Sequence, residues 1–365
     1  MLSVGEVGVR IAGTQKCQPI EPQAGSWETM IGDRDLLWKL EPNRKISIGE
    51  EYTTINEIGL RESLLPSTTK RKGEKRIIVT GDSSIYGWGV KDKETYAYLL
   101  EQELRKRFPT PIEVINLGVP GYSTEQTKKL LQKVGWQYEP DLLIVSNIFS
   151  DCNIDAFQDR NAMSLTNPNP GTFHKILQSS RLYCAGYMTW VNHQATLNQE
   201  TNRVLMPGIP TGPNAAVQLE QLNENLALSR VPIPQYLENL NYFHEEMNKR
   251  NGKMILAPLA QEWDVGIWNV PMPEPSADHV LPWFPYRDAQ KQWAAKKNIP
   301  IISFAKTFQQ YKQDPNRLFV DNMHPSKDGN LLMAKEVADY LQRNPSLLGL
   351  QNVPSTLPHR HNKRK

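Results

Sequence analysis

Two short stretches of this chain hold the residue types that acyl transfer requires. Near one end of the core region, Gly81-Asp82-Ser83-Ser84 directly follows the apolar run Arg76-Ile77-Ile78-Val79-Thr80. Far downstream stands Val320-Asp321-Asn322-Met323-His324-Pro325-Ser326. A serine hydroxyl is a poor nucleophile until a base takes its proton. His324 is the candidate base, and Asp321, three residues earlier, could orient the imidazole through its other ring nitrogen. Each stretch alone is common, since Gly-Asp-Ser is ordinary turn chemistry and Asp-x-x-His often precedes helices. Their conjunction is more specific: one follows the first core strand, the other follows the last strand and precedes the last helix.

The elements between them must bring the two stretches to one place. From Lys75 onward, short β-branched runs alternate with amphipathic helical patterns. The spacing predicts strands at Arg76–Thr80, Ile112–Leu117, Leu142–Val145, Lys253–Ala257 and Ile299–Ser303. It predicts helices over about 95–107, 124–134, 235–251, 287–297 and 327–342, with Pro109 and Pro111 ending the first of them. Short apolar strands joined by crossover helices imply a mainly parallel sheet with helices on both faces. Ligands of such sheets bind beyond the carboxyl ends of the strands, where Ser83 falls. Residues 1–74 hold few apolar runs and read as an N-terminal extension, with a short strand or two in Ile46–Thr54 and a tight turn at Asn56–Arg61. Between about Cys152 and Val231 the chain is rich in Asn, Pro and Gln and includes Pro207-Gly208-Ile209-Pro210-Thr211-Gly212-Pro213. That run reads as part of an insertion over the reactive edge. Residues 75–345 form the main domain, and 346–365 read as a basic, disordered tail.

With these motifs in this order, the sequence resembles the SGNH/GDSL hydrolases over roughly Lys75 to Leu341. Gly81-Asp82-Ser83-Ser84 matches the family's nucleophile motif, and Asp321 and His324 match its last motif. Asn116-Leu117-Gly118-Val119-Pro120-Gly121-Tyr122-Ser123 looks like the second motif, and the resemblance implies that Gly121 offers a backbone N–H to the oxyanion, beside that of Ser83. Asn56-Glu57-Ile58-Gly59-Leu60-Arg61 and Tyr86-Gly87-Trp88-Gly89-Val90 look like those of a bacterial subgroup with an N-terminal extension. The resemblance implies an α/β fold, a three-layer α/β/α sandwich with a mainly parallel five-stranded sheet. It also implies hydrolysis of small-molecule, carbohydrate or lipid esters without a cofactor. One departure stands out: the third motif normally ends Gly-x-Asn-Asp, whereas here Ile148-Phe149-Ser150-Asp151 puts Ser150 where the asparagine amide would be. Ser150, or else Asn147 or Asn153, is then the third oxyanion donor, unless two backbone donors suffice. An O-acyltransferase with the same triad and a silent carbohydrate-binding or scaffold domain are the rival readings.

Composition narrows the remaining classes. With 39% apolar and 22% charged residues the chain is ordinary globular protein. Arg360, Lys363, Arg364 and Lys365 more than account for its net charge of +3, so the body carries no nucleic-acid footprint. Cys17, Cys152 and Cys184 form no CxxC or Cys/His cluster, and His174, His193, His244 and His279 have no partners at metal spacing. A metal is therefore not expected, and Cys152 reads as a free, partly buried thiol, with redox or nucleophilic work as the alternative. Trp263, Trp268, Trp283, Phe284 and Tyr286 read as packing beneath a Pro-rich loop, with a substrate wall as the alternative. No run reaches the roughly 18 apolar residues of a membrane span. Location is left open: the chain as written carries no export signal, yet Gly5-Glu6-Val7-Gly8-Val9-Arg10 looks like the stretch that follows a membrane anchor in the subgroup it resembles.

Overall fold

A computed structural model of the protein describes residues 30–48, 51–61, 66–153, 158–166, 180–183, 186, 229–266 and 283–351. Several sequence expectations lie outside them: the Met1–Gly13 stretch, the Pro207–Pro213 run, Cys17, Cys184, His174, His193, His279, Trp268 and residues 352–365 of the basic tail. Two hairpins come first, β1 (Met30–Asp33) with β2 (Leu37–Leu40) and β3 (Lys45–Ile48) with β4 (Glu51–Thr54). The main layer then runs β5 (Lys75–Gly81), α1 (Ser83–Tyr86), α2 (Tyr96–Arg107), β6 (Ile112–Gly118), α3 (Thr124–Lys133), β7 (Leu142–Val145), α4 (Phe149–Cys152) and α5 (Asp159–Thr166). After the insertion it continues with α6 (Ile233–Lys249), β8 (Lys253–Leu256), α7 (Trp283–Lys297), α8 (Phe304–Gln309) and α9 (Lys327–Arg343).

The four long-range strands pair in parallel in the order β6-β5-β7-β8. Ile77, Ile78 and Val79 of β5 and all of β7 are fully buried, as strands covered on both faces must be. Each such side chain contributes about 1.5–3 kcal/mol by leaving water. The helices cover the sheet in two packed groups, α2 with α9 and α3 with α6 and α7, and Arg107 of α2 pairs with Asp339 of α9. Because β6 lies on one side of β5 and β7 on the other, the connectivity reverses at β5, which opens a crevice at the carboxyl ends of β5 and β7.

A fifth full strand was expected at Ile299–Ser303, and the structure reduces it to a single parallel bridge between Leu256 and Ile301. Leu256 N donates to Pro300 O, and Ile302 N donates to Leu256 O. The ladder is broken on both sides of this bridge because neither Pro300 nor Pro258 has an N–H to give, and only Phe304 N, donating to Pro258 O at 3.3 Å, extends it toward α8. α7 opens at Trp283 rather than near Arg287, so Trp283, Phe284 and Tyr286 start a helix instead of lying in a loop. Pro285 is tolerated there because it sits in the first turn. Past Arg343, the turn Pro345–Leu348 buries Leu348 completely, so packed structure extends beyond the expected boundary at 345.

The N-terminal hairpins are not an appendage. Met30, Leu36, Leu40, Ile55 and Leu60 are buried within the same core as the sheet. The Asn56–Arg61 stretch forms the expected tight turn, with Asn56 Oδ1 accepting from Ile58 N and Leu60 N and Gly59 at φ +84°.

Candidate active site

Ser83 stands at the carboxyl end of β5, on the first residue of α1. Asp82 caps that helix, its Oδ1 accepting from Ser84 N at 3.0 Å. Burial pushes the Asp82 carboxyl up from its ordinary range, and the bond from Ser84 N opposes this. α1 can lie across the strand ends only because the neighbouring strand ends in Gly118, where a Cβ would sit 2.3 Å from Tyr86 N. Asn116 Nδ2 fastens the helix by donating to Ile85 O at 3.0 Å. As the first helical residue, Ser83 has a backbone N–H without a partner in the helix.

The second stretch folds back on itself before α9. Val320 N donates to His324 O, and Phe319 bridges Pro325. Ser84 Oγ reaches across to Met323 O at 3.4 Å, joining the two motifs. His324 is buried; its Nε2 lies 2.7 Å from Ser83 Oγ, and its Nδ1 lies 2.7 Å from Asp321 Oδ2. Asp321 Oδ1 accepts from Met323 N and His324 N at 3.0 and 2.9 Å. Partial burial pushes the Asp321 carboxyl up, but the bonds from the imidazole and the two amides outweigh it and hold the group below 3.8. An ionised carboxylate only accepts, so Nδ1 must carry the proton, which leaves Nε2 as acceptor for the Ser83 hydroxyl. The Trp88 ring lies 5.8 Å from the imidazole and flanks it.

Gly121 ends a turn in which Tyr122 N donates to Val119 O at 3.0 Å, with φ of +75° at Gly121. Pro at the second position and a positive-φ Gly at the third make this a type II turn. The three side chains considered for a third donor differ sharply. Asn147 is fully buried, and its amide already donates to Tyr122 O and Thr127 Oγ1, both at 3.0 Å. Asn153 is exposed at the end of α4. Ser150 lies in the first turn of α4, largely buried. Asp151 accepts from Thr124 N and Thr124 Oγ1, and burial raises its carboxyl to about 8.

Two arginines that sequence reasoning did not single out for the site brace it. Arg61 is buried and donates to Tyr86 O, Gly87 O and Val90 O, so the N-terminal extension grips the segment that carries Trp88. Arg230 pairs with Asp159 and donates to Gly121 O at 2.7 Å. Their partners lie far away in sequence, so no local signal marks them. Cys152 is free and buried, its Sγ donating to Phe149 O, and burial pushes its thiol up. His244 is bonded to Asn248. Among the described residues no three His, Cys, Asp or Glu side chains gather as metal ligands, and no described helix is long and apolar enough to cross a membrane.

No protein-family model and no curated protein matches this chain. Solved structures similar to it include an acetylxylan esterase from Geobacillus stearothermophilus, at 14% identity and a TM-score of 0.43 over 77% of this chain and 97% of that one. A lipase/acylhydrolase from Enterococcus faecalis aligns at 14% identity and a TM-score of 0.42, over 74% and 96%. A psychrotrophic esterase from Pseudoalteromonas sp. aligns at 12% identity and a TM-score of 0.41, over 74% and 99%. These likenesses are remote.

Proposed function

We propose that the protein is a serine ester hydrolase of the SGNH/GDSL type. The observation that carries this reading is the unbroken hydrogen-bonded chain from Ser83 Oγ through both nitrogens of His324 to Asp321, with 2.7 Å at each step. Ser83 Oγ attacks the ester carbonyl while its proton passes to His324 Nε2, and Asp321 stabilises the resulting imidazolium. The N–H groups of Ser83 and Gly121, with the Ser150 hydroxyl as third donor, hold the oxyanion. His324 returns the proton to the leaving alcohol. Water, deprotonated in turn by His324, then releases the acid and restores Ser83. The substrate is a carboxylic ester of a small, carbohydrate or lipid alcohol.

Labelling with a fluorophosphonate, followed by peptide mapping, tests the nucleophile and its activation together. The expected result is a single adduct on Ser83 and hydrolysis of p-nitrophenyl acetate that the label abolishes. A chain that takes up no label and hydrolyses no ester is a scaffold, and the proposal fails.

A further inference from the structure

The turn Val119-Pro120-Gly121-Tyr122 has a built-in ambiguity. Type I and type II turns share the same ends and differ by rotation of the central peptide, and glycine at the third position permits either. Here the central peptide is Pro120–Gly121, and its N–H is the one assigned above to the oxyanion. In a planar trans peptide, the Pro120 carbonyl and the Gly121 N–H point in opposite directions, so whatever holds the carbonyl also aims the N–H.

What holds it comes from the N-terminal hairpin. Trp38 Nε1 donates to Pro120 O at 3.1 Å. The indole also lies close against Gly121: a Cβ there would meet Trp38 Cζ2 at 3.2 Å, a tight contact that adds to the preference for glycine set by the φ of +75°. Trp38 is fixed in turn. Tyr122 OH donates to Trp38 O at 2.6 Å, the Tyr122 ring meets the indole edge to face at 6.1 Å, and the Arg230 guanidinium lies 5.1 Å over it. The residue before it, Leu37, is buried at φ +67°, a left-handed conformation costly for leucine that sets the direction of β2. Arg230 Nη1 holds the next carbonyl, Gly121 O, so the peptides on both sides of the glycine are anchored.

We infer that Trp38 is a positioning residue for the oxyanion site: its indole N–H locks the Pro120–Gly121 peptide in the flip state that presents the Gly121 N–H to the ester oxygen. This rests on the ester-hydrolase reading. A hydrogen bond to the carbonyl also polarises the same amide and strengthens its N–H as a donor. The hairpin that carries Trp38 is thereby part of the catalytic apparatus, although it touches no reacting atom.

Trp38→Phe keeps an aromatic ring on Gly121 and removes only the N–H. The expected result is a kcat for p-nitrophenyl acetate lower by about 10-fold with KM within about twofold, since a loosened donor costs less than the 10²–10³ of a deleted one. Affinity for a boronic acid that forms a tetrahedral adduct on the serine should fall by the same factor as kcat/KM, and the pH profile should keep its shape. A purely structural role would instead lower the melting temperature and leave kcat alone. Should Trp38→Phe lose its cooperative melting, benzothienylalanine at position 38 decides, because it replaces the N–H by sulfur at nearly constant shape. If that variant or a folded Trp38→Phe retains wild-type kcat and boronate affinity while the wild type is active, the inference fails and the hydrolase reading stands. If the wild type neither turns over esters nor reacts with fluorophosphonate, both fail.

Discussion

The carboxyl ends of β5 and β7 are neighbours at the same crevice, and both end in runs of small polar residues, yet they are built for opposite purposes. After β5, the Ser83 hydroxyl faces His324, a residue 241 positions away. After β7, all but Ser150 and the exposed Asn153 of the polar groups considered turn inward: the Asn147 amide is used on Tyr122 and Thr127, Tyr236 OH donates to Asn147 O, and Asp151 caps Thr124. The difference teaches that a place at the reactive edge does not make a residue reactive. What decides is whether its donors are already committed.

The largest effect expected of any change is at the β5 end. Ser83→Ala should lower ester turnover by on the order of 10⁴-fold or more with an unchanged melting temperature; wild-type turnover in that variant would overturn the assignment and make Ser84 the next candidate. Asp321→Asn comes next. Its side chain is 41% exposed, so water partly replaces its support of the imidazolium. A loss in kcat of about 10²–10³-fold is expected, short of the 10⁴ found for a buried triad aspartate. Because its folded pKa is depressed, Asp321 also adds stability that is present above the ordinary value of 3.8 and fades as pH falls through the folded value. Melting curves of the variant should lack that acid-range loss.

The β7 end gives smaller effects that sharpen the contrast. Ser150→Ala should lower kcat by up to about 10²-fold with KM little changed, and Ser150→Asn should preserve or raise it. Asn147→Ala should instead cost about 1–3 kcal/mol of stability by leaving its partners unpaired, with kcat nearly unchanged. If steady-state kinetics and denaturation gave the reverse pattern, the two asparagine and serine roles would be exchanged. At Asp151 the expected effect falls on the pH dependence of stability. With a folded pKa raised to about 8, the native state keeps a proton that the unfolded chain loses, so stability declines as pH rises from about 4 to about 8. Asp151→Asn should flatten that decline, read by calorimetry between about pH 5 and 8; an unaltered slope would mean that Asp151 is already ionised.

Much of this was legible in the sequence because it depends on local pattern. The buried runs Ile77–Val79 and Leu142–Val145 declare themselves, and Ser83 and His324 sit at turns of recognisable chemistry. What escaped depends on distant or atypical geometry. β1 and β2 are four residues each, and Leu37 adopts a backbone that no propensity favours. Arg61 and Arg230 look like surface cations until their buried carbonyl partners, contributed by other elements, are known. Asn147 and Ser150 cannot be ranked from sequence, since that requires knowing whose hydrogen bonds are already made. The fifth strand failed for a local reason that could have been weighed: Pro300 stands within it.

The span between Ser83 and His324 has a consequence for synthesis. A chain emerging from the ribosome presents Ser83 long before His324, and closing so long a loop is slow relative to local folding. α9, which packs on α2, must be released before the Asp321–His324 turn is held in place. On the proposed mechanism, acyl transfer is thus withheld from every incomplete copy, and turnover reports that the two ends of the domain have met.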